Sequence, residues 1–160
     1  KRETGITEPT QKKLLYALEA VFLIRTFRIK GGAVATVIYF EDQAEALHLS
    51  DYTKSEMTAM EGLLMRHLRA HFVYQQGVPF QFFHYKTRGG ARIPIVVESE
   101  GRTLGFLPIE NDEGPSKADT ASAASFLRAF ENSRIIYVTT GSKTEVIDNR
   151  SAQIPLRAFV

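Results

Sequence analysis

The chain has 160 residues, 44% of them hydrophobic and 24% charged, with a formal net charge of +2 and no cysteine. This is the composition of one compact globular domain, with or without a small appendage, and it excludes a disordered chain. It also excludes disulfides, thiolate zinc sites and cysteine nucleophiles, and no run of about 18 apolar residues is present to cross a membrane as a helix.

Charge is unevenly spread. Residues 1–92 carry 13 basic against 9 acidic groups, whereas residues 93–160 carry 7 against 9. The basic half permits contact with a polyanion without requiring it. The absence of cysteine fits a reducing cytoplasm. The sequence starts at Lys1 with no signal peptide pattern, and it reads as a fragment of a longer protein.

In chain order, residues 10–25 are expected to form an amphipathic helix, with Pro9 in its first turn and Leu14, Leu18, Val21 and Phe22 on one stripe. A β-hairpin follows, with a strand to Ile29, a turn at Gly31–Gly32 and a return strand from Thr36 to Phe40. A helix feeding a hairpin is how a winged-helix unit ends. The segment "EDQAEALHLSDYT" reads as a helical or loop connection. A second helix, from Ser55 to about Gln75, is marked by Met57, Met60, Leu64, Leu68 and Phe72 and stopped by Gly77.

Strands are then expected at Phe80–Lys86, Arg92–Glu98 and Thr103–Pro108, with Gly101 at the second reversal. Ser116 or Asp119 caps a helix that packs Ala123, Phe126, Leu127 and Phe130. "RIIYVTT" is a buried strand, and "VIDNRSAQIPLRAF" gives a last short strand and a terminal turn. Strands in a run, then a helix, then a strand able to pair in parallel specify an α/β fold with a mixed sheet and helices on its faces.

Four groupings could carry chemistry. His67 and His71, four apart on the second helix, have the spacing of paired metal ligands, but no glutamate follows His67 and no third ligand accompanies them. "TTGSKTE" ends like a phosphate-binding loop, yet Ile136 stands where its first glycine belongs and Ser142 separates Gly141 from Lys143; it reads as a polar turn. His84, Tyr85, Lys86, Arg88 and Arg92 mix aromatic and basic groups around a strand junction, as a phosphate-holding, base-stacking surface does and as a solvated hairpin tip also does. Glu61, Glu98, Glu110, Asp112 and Glu113 are the carboxylates a metal-dependent nuclease would need, without a lysine to complete the set.

These segments in this order resemble the C-terminal half of bacterial and archaeal AAA-superfamily ATP-binding proteins. There an ATPase module is followed by a winged helix and by a domain similar to the PD-(D/E)xK, restriction-endonuclease-like fold. "LLYALEAVFLIRTF" is similar to the last winged-helix helix, and "VIYFEDQAEALHLS" to the junction segment with its phenylalanine and aspartate at Phe40 and Asp42. "EGLLMRHLRAH", "FHYKTRGGARIPIVVE" and "RIIYVTTG" are similar to elements of the nuclease-like part. The resemblance implies a winged-helix remnant and linker over residues 1–50 and a nuclease-like domain over residues 51–160.

It also implies metal-site positions, and this chain departs from them. The family's strand aspartate falls at Pro94, and its Glu-x-Lys pair falls at Leu107 and Ile109. Only Glu61, on the first nuclease-like helix, matches an acidic position. Sliding the third strand to Glu110 restores an acid but puts Asp112 in the lysine's place. None of the apolar replacements can ligate a hard cation. Pro94 removes a ladder donor, so it belongs at an edge, at a bulge, or with its missing N–H facing outward.

The expectation is a non-catalytic interaction domain with no cofactor or metal of its own. Its partners would be an N-terminal ATPase module and either DNA or a protein, including a second copy. The alternative is a nucleic-acid-binding module using His84, Tyr85, Lys86, Arg88 and Arg92. The remaining reading is a divergent nuclease built on Glu61, Glu98 and Glu110.

Overall fold

A computed structural model describes residues 5–32, 36–42, 56–75, 77–110 and 113–160. The elements are α1 (Glu8–Ala20), β1 (Ile24–Lys30), β2 (Thr36–Phe40), α2 (Glu56–Tyr74), β3 (Phe80–Lys86), β4 (Arg92–Ser99) and β5 (Arg102–Pro108). They continue with α3 (Lys117–Ala129), β6 (Ser133–Thr139), β7 (Glu145–Val146), β8 (Ser151–Pro155) and a 3-10 turn at Leu156–Ala158. The eight strands form one mixed sheet in the order β2-β1-β3-β4-β5-β6-β8-β7. The fold is α/β, as the alternation of strand runs and helices requires.

The centre of the sheet is an antiparallel meander, β3-β4-β5, continued by β6 parallel to β5 and by β8 parallel to β6. β4 is apolar and buried from Ile93 to Val97, as a strand covered on both faces must be. α2 covers one face through Met60, Leu64 and Leu68, packed with Phe82, Ile95, Val97 and Phe106. α3 covers the other through Ala123 and Phe126, packed with Phe83, Ile93 and Ile135. Gly105 lets α3 approach this closely, since a Cβ there would meet Ile135 Cδ1 at 2.8 Å and Phe126 Cε1 at 3.0 Å.

Local signals account for the boundaries. Ser116 and Asp119 form a reciprocal capping box at the start of α3, so the two expected caps act as one device. Glu100 and Gly101 both have positive φ, which turns β4 into β5 through a two-residue reversal of the type that matches strand twist. The terminal segment gives two short strands rather than one, because Val146 folds back to pair with Ala152. Of the expected connection at 41–53, residues 43–53 lie outside the described residues.

α1 departs from expectation in two ways. It stops at Ala20 because Phe22 adopts φ +58°, with Leu23 N–H donating to the Leu18 carbonyl and Phe22 N–H to that of Glu19. That is a helix-terminating pattern in which glycine is the usual residue. The apolar stripe is also not buried: α1 has no buried residue, and Leu14, Val21 and Phe22 are exposed by 50%, 69% and 68%.

The α1–hairpin segment is continuous with the sheet, since β1 pairs in parallel with β3 at Ile29↔His84 and Lys30↔Tyr85. Glu41, just past β2, binds Arg25 of β1 and Arg69 of α2. Burial works against that carboxylate, but the hydrogen bonds and charges of the two guanidiniums outweigh it and hold its pKa below the ordinary value.

Candidate functional site

Pro94 sits in the middle of a central strand, at a bulge. β3 pairs Phe83 with Val96 and Tyr85 with Ile93, so Pro94 and Ile95 together face the single residue His84. The bulge removes the ladder position at which a proline would lack its donor, and it leaves the Pro94 carbonyl aimed inward. Two side chains satisfy that oxygen: Tyr39 Oη donates to it across 3.2 Å and His84 Nδ1 across 3.0 Å. A carbonyl can only accept, so Nδ1 carries the imidazole proton.

His84 and Tyr85 are both almost fully buried, at 3% exposure. Neither can offer a ring face to a base, which removes them from the expected nucleic-acid contact surface. Strand alternation explains it: His84 points to the α2 side and Tyr85 to the α3 side, where its hydroxyl meets Ser125 Oγ at 2.9 Å. Burial, reinforced by the Arg92 charge, pushes the His84 pKa down to about 4, against the bond to Pro94. The imidazole is therefore neutral at neutral pH. Burial and then the Glu61 carboxylate raise the Tyr39 phenol above its ordinary range.

One turn into α2, Glu61 is 5% exposed. Its two carboxylate oxygens accept from the two terminal nitrogens of Arg92, at 2.7 and 2.6 Å. This fork-to-fork pair is the strong form of a charged hydrogen bond, and it consumes the inward lone pairs of the only acidic group at an expected metal position. Arg92 therefore belongs to this pair rather than to a free basic surface. The pair opens into a cleft of about 410 Å3 whose walls include Leu107, Ile109, Glu110, Ser116 and Asp119. Leu107 and Ile109 are buried.

Of the other expected carboxylates, Glu98 does not reach this cleft. Glu98 lies six residues along β4 from Arg92, about 20 Å away at strand rise, and forms an ion pair with Lys30. Glu110 lines the Glu61 cleft, while Asp112 lies outside the described residues. Among the described residues no group of three or more His, Asp or Glu side chains could hold a metal ion. His71 is exposed and contacts Gln75 Nε2 at 2.8 Å instead of acting with His67.

The basic surface reduces to Lys86 and Arg88, both exposed at the β3–β4 reversal. The reversal is tied by Thr87 N–H to the Ala91 carbonyl and by Ala91 N–H to Thr87 Oγ1, with Gly90 at φ +90°. A larger cleft, about 790 Å3, lies at the other end of the sheet between the β4–β5 turn and the start of β6. Its Arg150 is structural: the guanidinium donates to the carbonyls of Leu127, Phe130 and Ser133. Sequence reasoning missed Tyr39 and the Glu61–Arg92 pair, because neither contact follows a local period.

Compared with known proteins, the chain matches no family model, no curated protein and no solved structure.

Proposed function

We propose that this chain is a non-catalytic interaction domain on a PD-(D/E)xK-type scaffold, working as part of an AAA-type ATPase whose own module hydrolyses ATP. The observation that carries the reading is the Glu61–Arg92 pair: the one acid at an expected metal position is saturated by a guanidinium instead of facing a cation. The helix–three strands–helix–strand order, with β6 parallel to β5, supports the scaffold. Pro94, Leu107 and Ile109 fill the remaining positions with side chains that have no ligand atom.

The second reading is a nucleic-acid-binding module, and one observation favours it. Lys86 at the end of β3 and Arg88 in the braced reversal are both exposed, and among the described residues neither has an ion-pair partner. Phosphate contacts of this kind weaken steeply with salt.

One experiment separates the readings: labelled double- and single-stranded DNA titrated with the protein at two salt concentrations, with and without magnesium or manganese. A domain that interacts with protein gives neither binding nor cleavage. Salt-sensitive binding lost on charge reversal of Lys86 and Arg88, without cleavage, replaces it with the second reading. Metal-dependent cleavage abolished by Glu61→Ala overturns both.

A further inference from the structure

We infer that the open face of β6 and β8 beside α2 is a docking site for an amphipathic helix of a partner protein, one that carries a carboxylate within its apolar stripe. The inference deepens the interaction-domain reading and rests on it for the existence of a partner. The surface itself uses none of the residues around Glu61.

β5, β6 and β8 run parallel, and parallel strands need cover on both faces. α3 supplies it on one side, with Phe126 packed on Ile135. On the other side α2 crosses obliquely. Met57 and Met60 in its first turns border Ile109 and Thr140, just past the ends of β5 and β6. Phe72 near its other end contacts Phe80 at the start of β3, with ring centroids 5.7 Å apart. α2 thus moves away from β5 and β6 along its length. The terminal turn covers only the far part of these strands, with the Phe159 ring 5.9 Å from that of Phe106.

A wedge of apolar sheet is left over. The strand register sets Leu104 beside Arg134, Ile136 beside Ala152 and Ala152 beside Val146, all on this face. Leu104, Ile136, Ala152 and Ile154 are half-buried, Val146 is 78% exposed, and together they line a cleft of about 330 Å3. Strands lie about 4.8 Å apart and packed helices about 8–10 Å apart, so one helix covers two strands. α2 lies over β4 and β5, which leaves β6 and β8 as the place of one more helix.

Charge selects the occupant. Arg134 stands exposed among these apolar side chains, and among the described residues it has no ion-pair partner. Asp148, the one acid lining the cleft, accepts from its own loop, from Arg150 N–H at 2.7 Å. The adjoining 790 Å3 cleft holds Arg102 together with Glu100 and Glu131, so Arg134 sets the sign of the surface. An apolar floor does not suit a phosphate backbone, and a second copy placed about a two-fold axis through the cleft would oppose its own Arg134.

Selection of a display library of helix-forming peptides on the immobilised protein tests the inference. Enriched peptides should carry apolar residues at i, i+3, i+4 and i+7 with an Asp or Glu among them. Arg134→Glu, which opposes like charges, should weaken their binding at least about tenfold, and replacing the peptide carboxylate with Lys should restore it. Val146→Asp should weaken binding by a similar factor, while both variants, being exposed, keep the wild-type circular dichroism spectrum. No enrichment, enrichment of basic or wholly apolar peptides, or binding indifferent to either variant overturns the inference. Neither DNA nor metal enters this experiment, so its failure is distinct from a failure of the Glu61 reading.

Discussion

Removing Arg92 tests the energetics of the candidate site most sharply. Arg92→Ala leaves the Glu61 carboxylate, 5% exposed, without its two charged donors. Breaking a wholly buried pair from one side costs about 3–5 kcal/mol. Here the Arg92 side chain is 44% exposed, so water already screens part of the attraction and can reach the vacated space. The expected destabilisation is about 2–3 kcal/mol. With a urea m value of about 2 kcal/mol/M, the midpoint should fall by roughly 1 M. Glu61→Gln should cost less, because a neutral amide tolerates burial and still accepts from Arg92. The double variant should show a coupling of about 1–3 kcal/mol. Equilibrium unfolding in urea with all four proteins supplies the cycle. A coupling below about 0.5 kcal/mol, the margin within which independent sites add, would refute the claim that the pair organises the cleft.

Three further outcomes follow from the packing. His84 keeps a depressed pKa of about 4 against an ordinary 6.5, so the unfolded chain binds a proton that the folded chain refuses between those values. Stability is full above pH 6.5 and declines as pH falls toward 4, by up to about 3 kcal/mol; an NMR titration placing the His84 midpoint near 6.5 would contradict this. The Thr139 hydroxyl is fully buried and has no hydrogen bond among the described residues. Thr139→Val should therefore raise stability by about 1 kcal/mol in thermal unfolding, and a loss would mean that the hydroxyl has a partner. Gly105→Ala forces a methyl against Phe126 and Ile135 and should cost about 1–3 kcal/mol in urea unfolding; an unchanged midpoint would show that α3 can move away without cost.

The elements from β3 to β6 were legible because their physics is local. Ile93, Val96 and Val97 can only be a buried strand, Gly101 supplies the turn, and Ser116 with Asp119 sets the start of α3. Pro94 was readable in part: a proline in a strand called for an edge, a bulge or an outward-facing N–H, and the bulge is the one present. The site was less legible. Composition at the β3–β4 reversal marked five residues as one basic and aromatic surface, but strand alternation sends His84 and Tyr85 into opposite cores, and Glu61 takes Arg92. Tyr39 reaches Pro94 from 55 residues away, a distance that no spacing rule covers. α1 was misjudged because an apolar stripe shows that a face needs a partner without showing that the partner is this chain's own sheet.

On the proposed reading Glu61 is a structural anion held by Arg92 rather than a cation ligand. Titration calorimetry with manganese and with magnesium tests it directly on the wild type and on Glu61→Gln. Neither protein should give saturable heat. Saturable manganese or magnesium binding by the wild type that is lost in Glu61→Gln would contradict it.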